Sequence, residues 1–143
     1  MTVPGSAYAI CSVLFFACAS QSRLAPEVAV SEVYTPTDLA NSLTVPYPPP
    51  PAKVETMPPM PGNRACVYWD GQWVFGPRDW QWVSGAWVIQ RDDCAFQRSR
   101  LFWHTLGADR AELRYRPGRW VQSANPAMDC PVALPCPSVS VSP

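Results

Sequence analysis

The sequence predicts a mostly β protein, in which a small antiparallel meander of Trp-rich hairpins forms a sheet or a small open barrel. Two observations support this fold class. All seven Trp lie between residues 64 and 121, where a six-residue pattern ending in Trp occurs three times. The 18 Pro of the 143-residue chain lie mostly outside that stretch, with eight of them between residues 46 and 61. We therefore expect the folded part to be much shorter than the chain.

Composition divides the chain into four segments. We predict a signal peptide at residues 1–17, a lipid-anchored, Pro-rich flexible linker at 18–63, a Trp-rich β repeat module at 64–122 and an irregular tail at 123–143. Eleven basic and eleven acidic residues give a formal net charge of zero, so the overall charge does not indicate a nucleic-acid partner. Within the module, nine Arg stand against six acidic residues, which makes it mildly basic.

The N-terminal segment has the features of an export signal. Residues 7–17 form an uncharged apolar run of signal-peptide length, too short to span a bilayer as a helix. The run ends in "LFFAC", Leu14 to Cys18, which resembles the lipobox of bacterial lipoproteins. In such proteins the Cys becomes the N-terminus and carries acyl chains such as palmitate, so Cys18 is the predicted lipidation site. Ala19 and Ser20 lack the Asp that retains lipoproteins at the inner membrane, which favours the outer membrane.

The same residues allow a second interpretation. "ACA", Ala17 to Ala19, fits a small-x-small cleavage site before Ser20, and cleavage there would give a soluble secreted or periplasmic protein. Both interpretations place the mature chain outside the cytosol. In the first, the protein belongs to the cell envelope, contacts the membrane through its lipid anchor and faces the periplasm or the surface.

The cysteines agree with export. Apart from Cys11 and Cys18, the chain contains Cys66, Cys94, Cys130 and Cys136. An even number of Cys in an oxidising compartment indicates disulfides, and four Cys allow three pairings. We favour 66–94 with 130–136, because the first pair brackets the Trp-rich stretch and the second closes a short loop. Zinc bound by these Cys and His104 is the alternative, but their spacings match no usual ligand pattern, so no metal site is predicted.

The repeated pattern is an aromatic residue, any residue, a turn residue, Gly, any residue and Trp. Its copies are residues 68–73 (YWDGQW), 82–87 (WVSGAW) and 115–120 (YRPGRW). Asp70-Gly71 is a strong signal for a two-residue hairpin turn, because a type I′ turn needs positive φ at both central positions. A hairpin at each copy would pair its first aromatic residue with its own Trp across adjacent strands. The predicted ring pairs are Tyr68 with Trp73, Trp82 with Trp87 and Tyr115 with Trp120.

The remainder of the module completes a meander. In residues 94–105 the odd-numbered and the even-numbered side chains would face opposite sides of an extended chain. One strand is therefore predicted there. Together with the hairpins, this gives about six short strands. A fold of fewer than about sixty residues is marginal without reinforcement, so a disulfide and the cross-strand rings are expected to stabilise it.

The three copies resemble the WXXGXW (or YXWXXGXW) repeat of small exported bacterial proteins that often carry a lipobox. Residues 82–87 fit the repeat fully, residues 115–120 fit it with Tyr in the first place, and residues 69–73 fit it loosely. The similarity covers residues 66–121. It implies export and a Trp-rich architecture, and because the family has no settled biochemical activity, it implies no reaction.

The aromatic residues also suggest a ligand class. Rings flanked by Arg can stack on sugars, so peptidoglycan or a surface polysaccharide is one candidate, with the Arg side chains contacting anionic groups. The candidate stacking residues are Tyr68, Trp73, Trp82, Trp87, Tyr115 and Trp120. Packing of the same rings in a core is the alternative, and it would give a purely structural module. Another envelope protein competes with the glycan as the partner.

No catalytic residue is predicted. His104 is the one His in the chain, and no P-loop, nucleophile elbow, HExxH or dinucleotide-binding motif occurs. We therefore expect a non-enzymatic protein that needs no cofactor.

The Pro-rich segment, residues 45–62 (VPYPPPPAKVETMPPMPG), favours polyproline II, because consecutive Pro fix φ and remove backbone donors. We expect it to act as a stiff spacer between the anchor and the module. The alternative is a docking site for a Pro-binding groove in a partner.

Overall fold

A computed structural model describes residues 21–62 and 65–137. The predicted signal peptide at 1–17 and the predicted lipidation site Cys18 lie outside the described residues. In chain order the elements are β1 (Ser22–Leu24), β2 (Val30–Ser31), α1 (Pro36–Ala40), β3 (Leu43–Thr44), β4 (Val54–Thr56), β5 (Cys66–Trp69), β6 (Gln72–Phe75), β7 (Trp80–Val83), β8 (Ala86–Ile89), β9 (Cys94–Gln97), β10 (Arg100–Gly107), β11 (Arg110–Arg116) and β12 (Arg119–Gln122).

Strands dominate the described part of the chain and form several small sheets, none of which closes into a barrel there. The predicted mostly β, antiparallel fold class is therefore confirmed. One pairing, between β2 and β10, is parallel. The Trp-rich module consists of two long hairpins, which we call hairpin A (β5 to β8) and hairpin B (β9 to β12).

Hairpin A runs outward through β5 and β6 and returns through β7 and β8. β6 pairs with β7 near the turn, and β5 pairs with β8 at the open end. The register is unchanged across the gap between these ladders, since the flanking pairs are Trp69 with Ala86 and Gln72 with Val83. In that register Asp70-Gly71 lies opposite Ser84-Gly85. Hairpin A is thus one long hairpin with a break in its middle.

Hairpin B repeats this construction. β10 pairs with β11 near the turn and β9 pairs with β12 at the open end, and the register is again unchanged across the gap, although it shifts by a bulge between Thr105 and Gly107 near the turn. Its break places Arg98-Ser99 opposite Pro117-Gly118. Pro117 has no N–H and cannot donate to the ladder, which favours an interruption at this position. A guanidinium replaces part of the lost ladder, because Arg116 donates to the Arg98 carbonyl at 2.8 Å.

The two-residue hairpin turns predicted from the repeat are wrong. Each turn dipeptide spans a break in a long hairpin, and the first residue of one copy lies opposite the last residue of another. Tyr68 therefore meets Trp87 with ring centroids 5.4 Å apart, and Trp73 meets Trp82 at 5.2 Å. Tyr115 lies opposite Leu101 rather than Trp120. Pairing between two copies is favoured because it keeps one register along each long hairpin, in which rings of one copy pack against rings of the other.

A fourth, degenerate copy completes the pattern. Residues 96–101 (FQRSRL) occupy the equivalent position in hairpin B, with Ser99 in place of Gly and Leu101 in place of Trp. Phe96 pairs with Trp120, and their ring centroids are 5.2 Å apart. The single strand predicted for residues 94–105 is consequently broken between β9 and β10. Each hairpin is therefore built from two copies of the repeat.

The core lies between the two hairpins. Trp80 of hairpin A packs edge-on against Tyr115 of hairpin B, with centroids 4.8 Å apart. The Tyr115 hydroxyl donates to the Trp73 carbonyl at 3.2 Å, and burial raises the pKa of Tyr115 to about 12. Leu101 is fully buried in the same cluster, which Val45 from the Pro-rich segment also joins. The module alone therefore does not supply the whole core.

Residues 21–62 lie against the hairpins, which differs from the predicted flexible linker. β1 pairs with β4, β2 pairs with β10 and β3 pairs with β11. Ala25 and Val45 are buried. The rings of hairpin A present apolar surface and N–H donors that an extended Pro-rich chain can cover. A partner for that chain is thus available within the same molecule.

Helix α1 is fixed to hairpin B through one buried carboxylate. Thr35 caps the helix and exchanges hydrogen bonds with Asp38 in a capping box. Asp38 also pairs with Arg100 and Arg116, each at 2.8 Å. Burial acts to raise the pKa of Asp38, but the hydrogen bonds from Thr35 and the two guanidinium charges outweigh it and lower the pKa below its ordinary value.

All four predicted disulfide cysteines are bonded, but the favoured pairing is wrong. The structure joins Cys66 to Cys136 and Cys94 to Cys130. The reason is that the tail runs back beside the open ends of both hairpins. The backbone N–H of Cys136 donates to the Trp87 carbonyl, and the backbone N–H of Cys130 donates to the Trp120 carbonyl, each at 2.9 Å. The irregular tail is thereby attached to hairpin A by one bond and to hairpin B by the other.

Candidate functional site

A cleft of about 340 Å³ opens where the breaks of the two hairpins come together. Asp70-Gly71 of hairpin A and Arg98-Ser99 of hairpin B line two sides, and residues 26–29 line a third. Interruptions at Gly in a strand often mark positions where another group approaches the backbone closely. The repeat therefore creates this cleft by interrupting both ladders at the same level.

Aromatic rings from both hairpins line the cleft. Trp69 packs edge-on against Phe96 with centroids 5.1 Å apart, and Phe96 contacts Trp120 at 5.2 Å. These three rings and Tyr68 are all partly buried, so each keeps some surface accessible. Gly118 lies directly behind Phe96, where an added Cβ would approach the ring to 2.6 Å. The break glycine of hairpin B therefore leaves the space that the Phe96 ring occupies.

Some charged groups of the cleft form ion pairs and others do not. Asp70 pairs with Arg23 at 2.9 Å, and Arg100 is held by Asp38. Arg98 is exposed, and its guanidinium has no ion pair among the residues that the structure describes. Gln72 and Ser99 add polar groups to the lining. The cleft thus combines rings, neutral hydrogen-bonding groups, the exposed carboxylate of Glu27 and one cation, Arg98, that has no ion pair in the described part of the chain.

The six stacking residues predicted from the sequence do not form one surface. Tyr68 and Trp120 line the cleft. Trp73 and Trp82 line a separate cavity of about 280 Å³ beside the Pro-rich segment. The other two lie elsewhere, since Tyr115 is buried in the core and the Trp87 indole donates to the Pro58 carbonyl at 3.1 Å.

Two aromatic residues of the cleft, Trp69 and Phe96, were not among the predicted stacking set, whereas Arg98 belongs to the Arg side chains that were expected to contact anionic groups. Trp69 is the second residue of its copy. In the predicted hairpin its side chain therefore lies on the opposite face of the sheet from Tyr68 and Trp73. Phe96 belongs to the degenerate copy, which does not match the repeat because Ser99 and Leu101 replace its Gly and Trp. The signal that could have revealed both is the mirror spacing of the copies about each turn, which places them opposite one another.

The break in hairpin A is filled by a carboxylate from the Pro-rich segment. Glu55 accepts hydrogen bonds from the Trp82 indole and from the Gly85 backbone, each at 2.8 Å. A Cβ on Gly71 would collide with the same carboxylate. Partial burial acts to raise the pKa of Glu55, but the hydrogen bonds, from Trp82 and Gly85 first, outweigh it and leave the pKa below its ordinary value. Glu55 thus replaces ladder bonds that the break removes.

This pKa predicts an acid-sensitive contribution to stability. A carboxylate whose pKa is lowered by folding stabilises the fold above its ordinary pKa of 4.5, and this contribution disappears as the pH falls through the folded pKa. Glu55→Gln should therefore unfold at a lower urea concentration than wild type at pH 7, and the difference should shrink below pH 4.5. A difference that stays constant over that range would contradict the assignment. Asp38 stays unchanged in both proteins, so its own titration cancels in the comparison.

Two further features lie away from the cleft. His104 Nδ1 is 2.8 Å from the Tyr34 hydroxyl, and Trp103 is 49% exposed.

Within residues 21–62 and 65–137, no group of three or more His, Cys, Asp and Glu is placed to hold a metal ion. The same residues contain no apolar helix of membrane-spanning length.

Comparison with known proteins adds no relative. No family model, curated protein or solved structure matches the chain. The resemblance to WXXGXW repeat proteins therefore stays a prediction from the motif, and the function has to be argued from the site.

Proposed function

We propose that the protein is an exported, non-enzymatic component of the cell envelope that binds an acidic glycan in the cleft between the hairpin breaks. The observation that carries this proposal is the meeting of Trp69, Phe96 and Trp120 beside Arg98, whose guanidinium has no ion pair within residues 21–62 and 65–137. The cleft volume of about 340 Å³ falls in the range of small-molecule sites, which are mostly apolar with a few polar groups that fix orientation.

Each component of the cleft matches one part of a saccharide. The C–H faces of a sugar ring are apolar and pack on aromatic rings, so Trp120 and Trp69 would hold the ring. Sugar hydroxyls are donors and acceptors, which Gln72 and Ser99 can pair with. A carboxylate on the glycan would pair with Arg98, whose planar guanidinium suits such groups. Peptidoglycan and acidic surface polysaccharides both supply this chemistry.

Export and anchoring form the second part of the proposal. The lipobox-like end of the leader supports lipidation of Cys18, and two disulfides are typical of an oxidising compartment outside the cytosol. A labelled fatty acid should be incorporated by wild type and not by Cys18→Ala. Equal labelling of both chains would reject the anchor and leave the soluble secreted form.

The binding proposal is tested by pelleting the protein with isolated peptidoglycan. Free oligosaccharide from the same material should compete, and Arg98→Ala and Trp120→Ala should each weaken binding about tenfold, as expected for loss of about 1.4 kcal/mol. Trp103→Ala is the matched control, because Trp103 is exposed and does not line the cleft. Variants that bind like wild type would reject the site. Salt-sensitive capture of one envelope protein, without competition by sugar, would favour a protein partner instead.

A further inference from the structure

We propose that hairpin A carries a polyproline-binding surface, and that the chain's own residues 47–58 occupy it as an internal ligand. We call this surface the indole track and define it by Trp80, Trp73, Trp82 and Trp87. It lies beside the glycan cleft, since residues 26–29 line both the cleft and the cavity next to the track, but none of its four Trp lines the cleft, so glycan binding and peptide binding can be measured separately.

The four indoles all donate their N–H to the Pro-rich segment. Along that segment the acceptors are the Tyr47 carbonyl with Trp80 at 3.0 Å, the Pro51 carbonyl with Trp73 at 3.1 Å, the Glu55 carboxylate with Trp82 at 2.8 Å and the Pro58 carbonyl with Trp87 at 3.1 Å. Successive acceptors are three or four residues apart, and the donors follow hairpin A from its turn toward its open end. The segment therefore lies lengthwise on the hairpin.

The chemistry of the two partners is complementary. An indole N–H is a donor with no acceptor capacity, whereas a run of Pro has backbone carbonyls and no N–H. Polyproline II leaves those carbonyls without internal partners, and it pays little conformational entropy on docking because its φ angles are already fixed. Aromatic-lined grooves that bind Pro-rich peptides in other proteins use the same physical match. The row of Trp is thus suited to Pro-rich chains as a class.

Charged side chains fix the position of the segment along the track. The Lys53 ammonium lies over the rings of Trp73 and Trp82, 5.2 and 5.8 Å from their centroids. Two residues on, Glu55 enters the break of hairpin A. The Tyr47 hydroxyl donates to Asp79 at 2.7 Å near the hairpin turn. These contacts define the ligand as a Pro run followed by a cation and then a carboxylate.

The internal ligand does not fill the track completely. A cavity of about 280 Å³ is lined by Pro48, Pro49 and Pro50, by Trp73 and Trp82, and by residues 26–30. The Pro run thus leaves part of the track uncovered, and its own hydrogen bond to the track is the one that the Pro51 carbonyl accepts from Trp73. An added chain with the sequence of the segment should therefore bind the track once the internal Pro run is weakened.

The test uses the full-length protein and a fluorescent peptide with the sequence of residues 45–60. In the opened variant, Pro48, Pro49, Pro50 and Pro51 are all replaced by Ser, which keeps the carbonyls and removes the fixed φ angles. An internal ligand that occupies the track nine-tenths of the time weakens an added ligand about tenfold, so the opened variant should bind the peptide at least tenfold more tightly than wild type. A scrambled peptide of the same composition is the control. Equal binding of both peptides, or no binding by the opened variant, would overturn the proposal.

A second measurement does not depend on the peptide. In wild type, the indole N–H protons of the four track residues should exchange with solvent at least tenfold more slowly than that of the exposed Trp103. Pro51→Ser alone should speed exchange at Trp73 and leave Trp103 unchanged. Track indoles that exchange as fast as Trp103 in wild type would show that the segment does not occupy the track.

Discussion

Replacing Cys66 and Cys136 by Ser is expected to lower the free energy of unfolding by about 4 kcal/mol, because this bond closes a loop 70 residues long in sequence. The unfolded chain gains the entropy that the crosslink removes, and the native chain loses the covalent attachment of its tail to hairpin A. Such a loss is comparable to the whole stability of many small domains. Urea denaturation of the variant and of wild type measures the difference.

The second disulfide provides the matched control. Cys94 and Cys130 close a shorter loop of 36 residues, so their replacement by Ser should cost slightly less. Proteolysis without reductant should release peptides that link Cys66 to Cys136 and Cys94 to Cys130. Linked peptides containing Cys66 and Cys94 would instead support the pairing predicted from the sequence and contradict the placement of the tail.

Gly85→Ala should be the most damaging of the small backbone substitutions, at about 2 to 3 kcal/mol. An added Cβ would lie 2.8 Å from the Trp69 carbonyl oxygen and would collide with the Tyr68 hydroxyl. The carbonyl belongs to the facing strand, so relief requires the two strands of hairpin A to separate. Urea denaturation and near-ultraviolet circular dichroism would report the loss.

Gly62→Ala is the control for this substitution, because, apart from its chain neighbours, no atom of the described residues lies within 4 Å of a Cβ built there. Its stability should match that of wild type. If Gly85→Ala were as stable as Gly62→Ala, the close packing of the facing strands at the break would be disproved.

The sequence was sufficient to predict strands, because the repeat and its alternation are local properties. It was insufficient to predict their partners. Asp70-Gly71 has the composition of a hairpin turn, and only the packing of the second strand at residues 80–89 makes it a break. The true turn of hairpin A spans residues 76–79, which fall between copies, as the mirror spacing of the copies about the bond between residues 77 and 78 would have indicated.

Long-range contacts were also decisive for the Pro-rich segment and the disulfides. Nothing in residues 45–62 alone distinguishes a free spacer from a chain docked on its own module, since polyproline II is extended in both cases. Likewise, the pairing of Cys66 with Cys136 depends on where the tail returns, which spacing does not determine. The cleft escaped prediction for the same reason, since Trp69 and Phe96 meet only after both hairpins pack.

The most direct test of the account is a set of nuclear Overhauser effects between aromatic side chains, because pairing between copies of the repeat positions both the cleft and the indole track. We predict strong contacts between the rings of Tyr68 and Trp87 and between those of Trp73 and Trp82. Phe96 should likewise show contacts to Trp120. Strong contacts from Tyr68 to Trp73 and from Trp82 to Trp87, without those to the other copy, would contradict the broken hairpins and, with them, the cleft and the indole track.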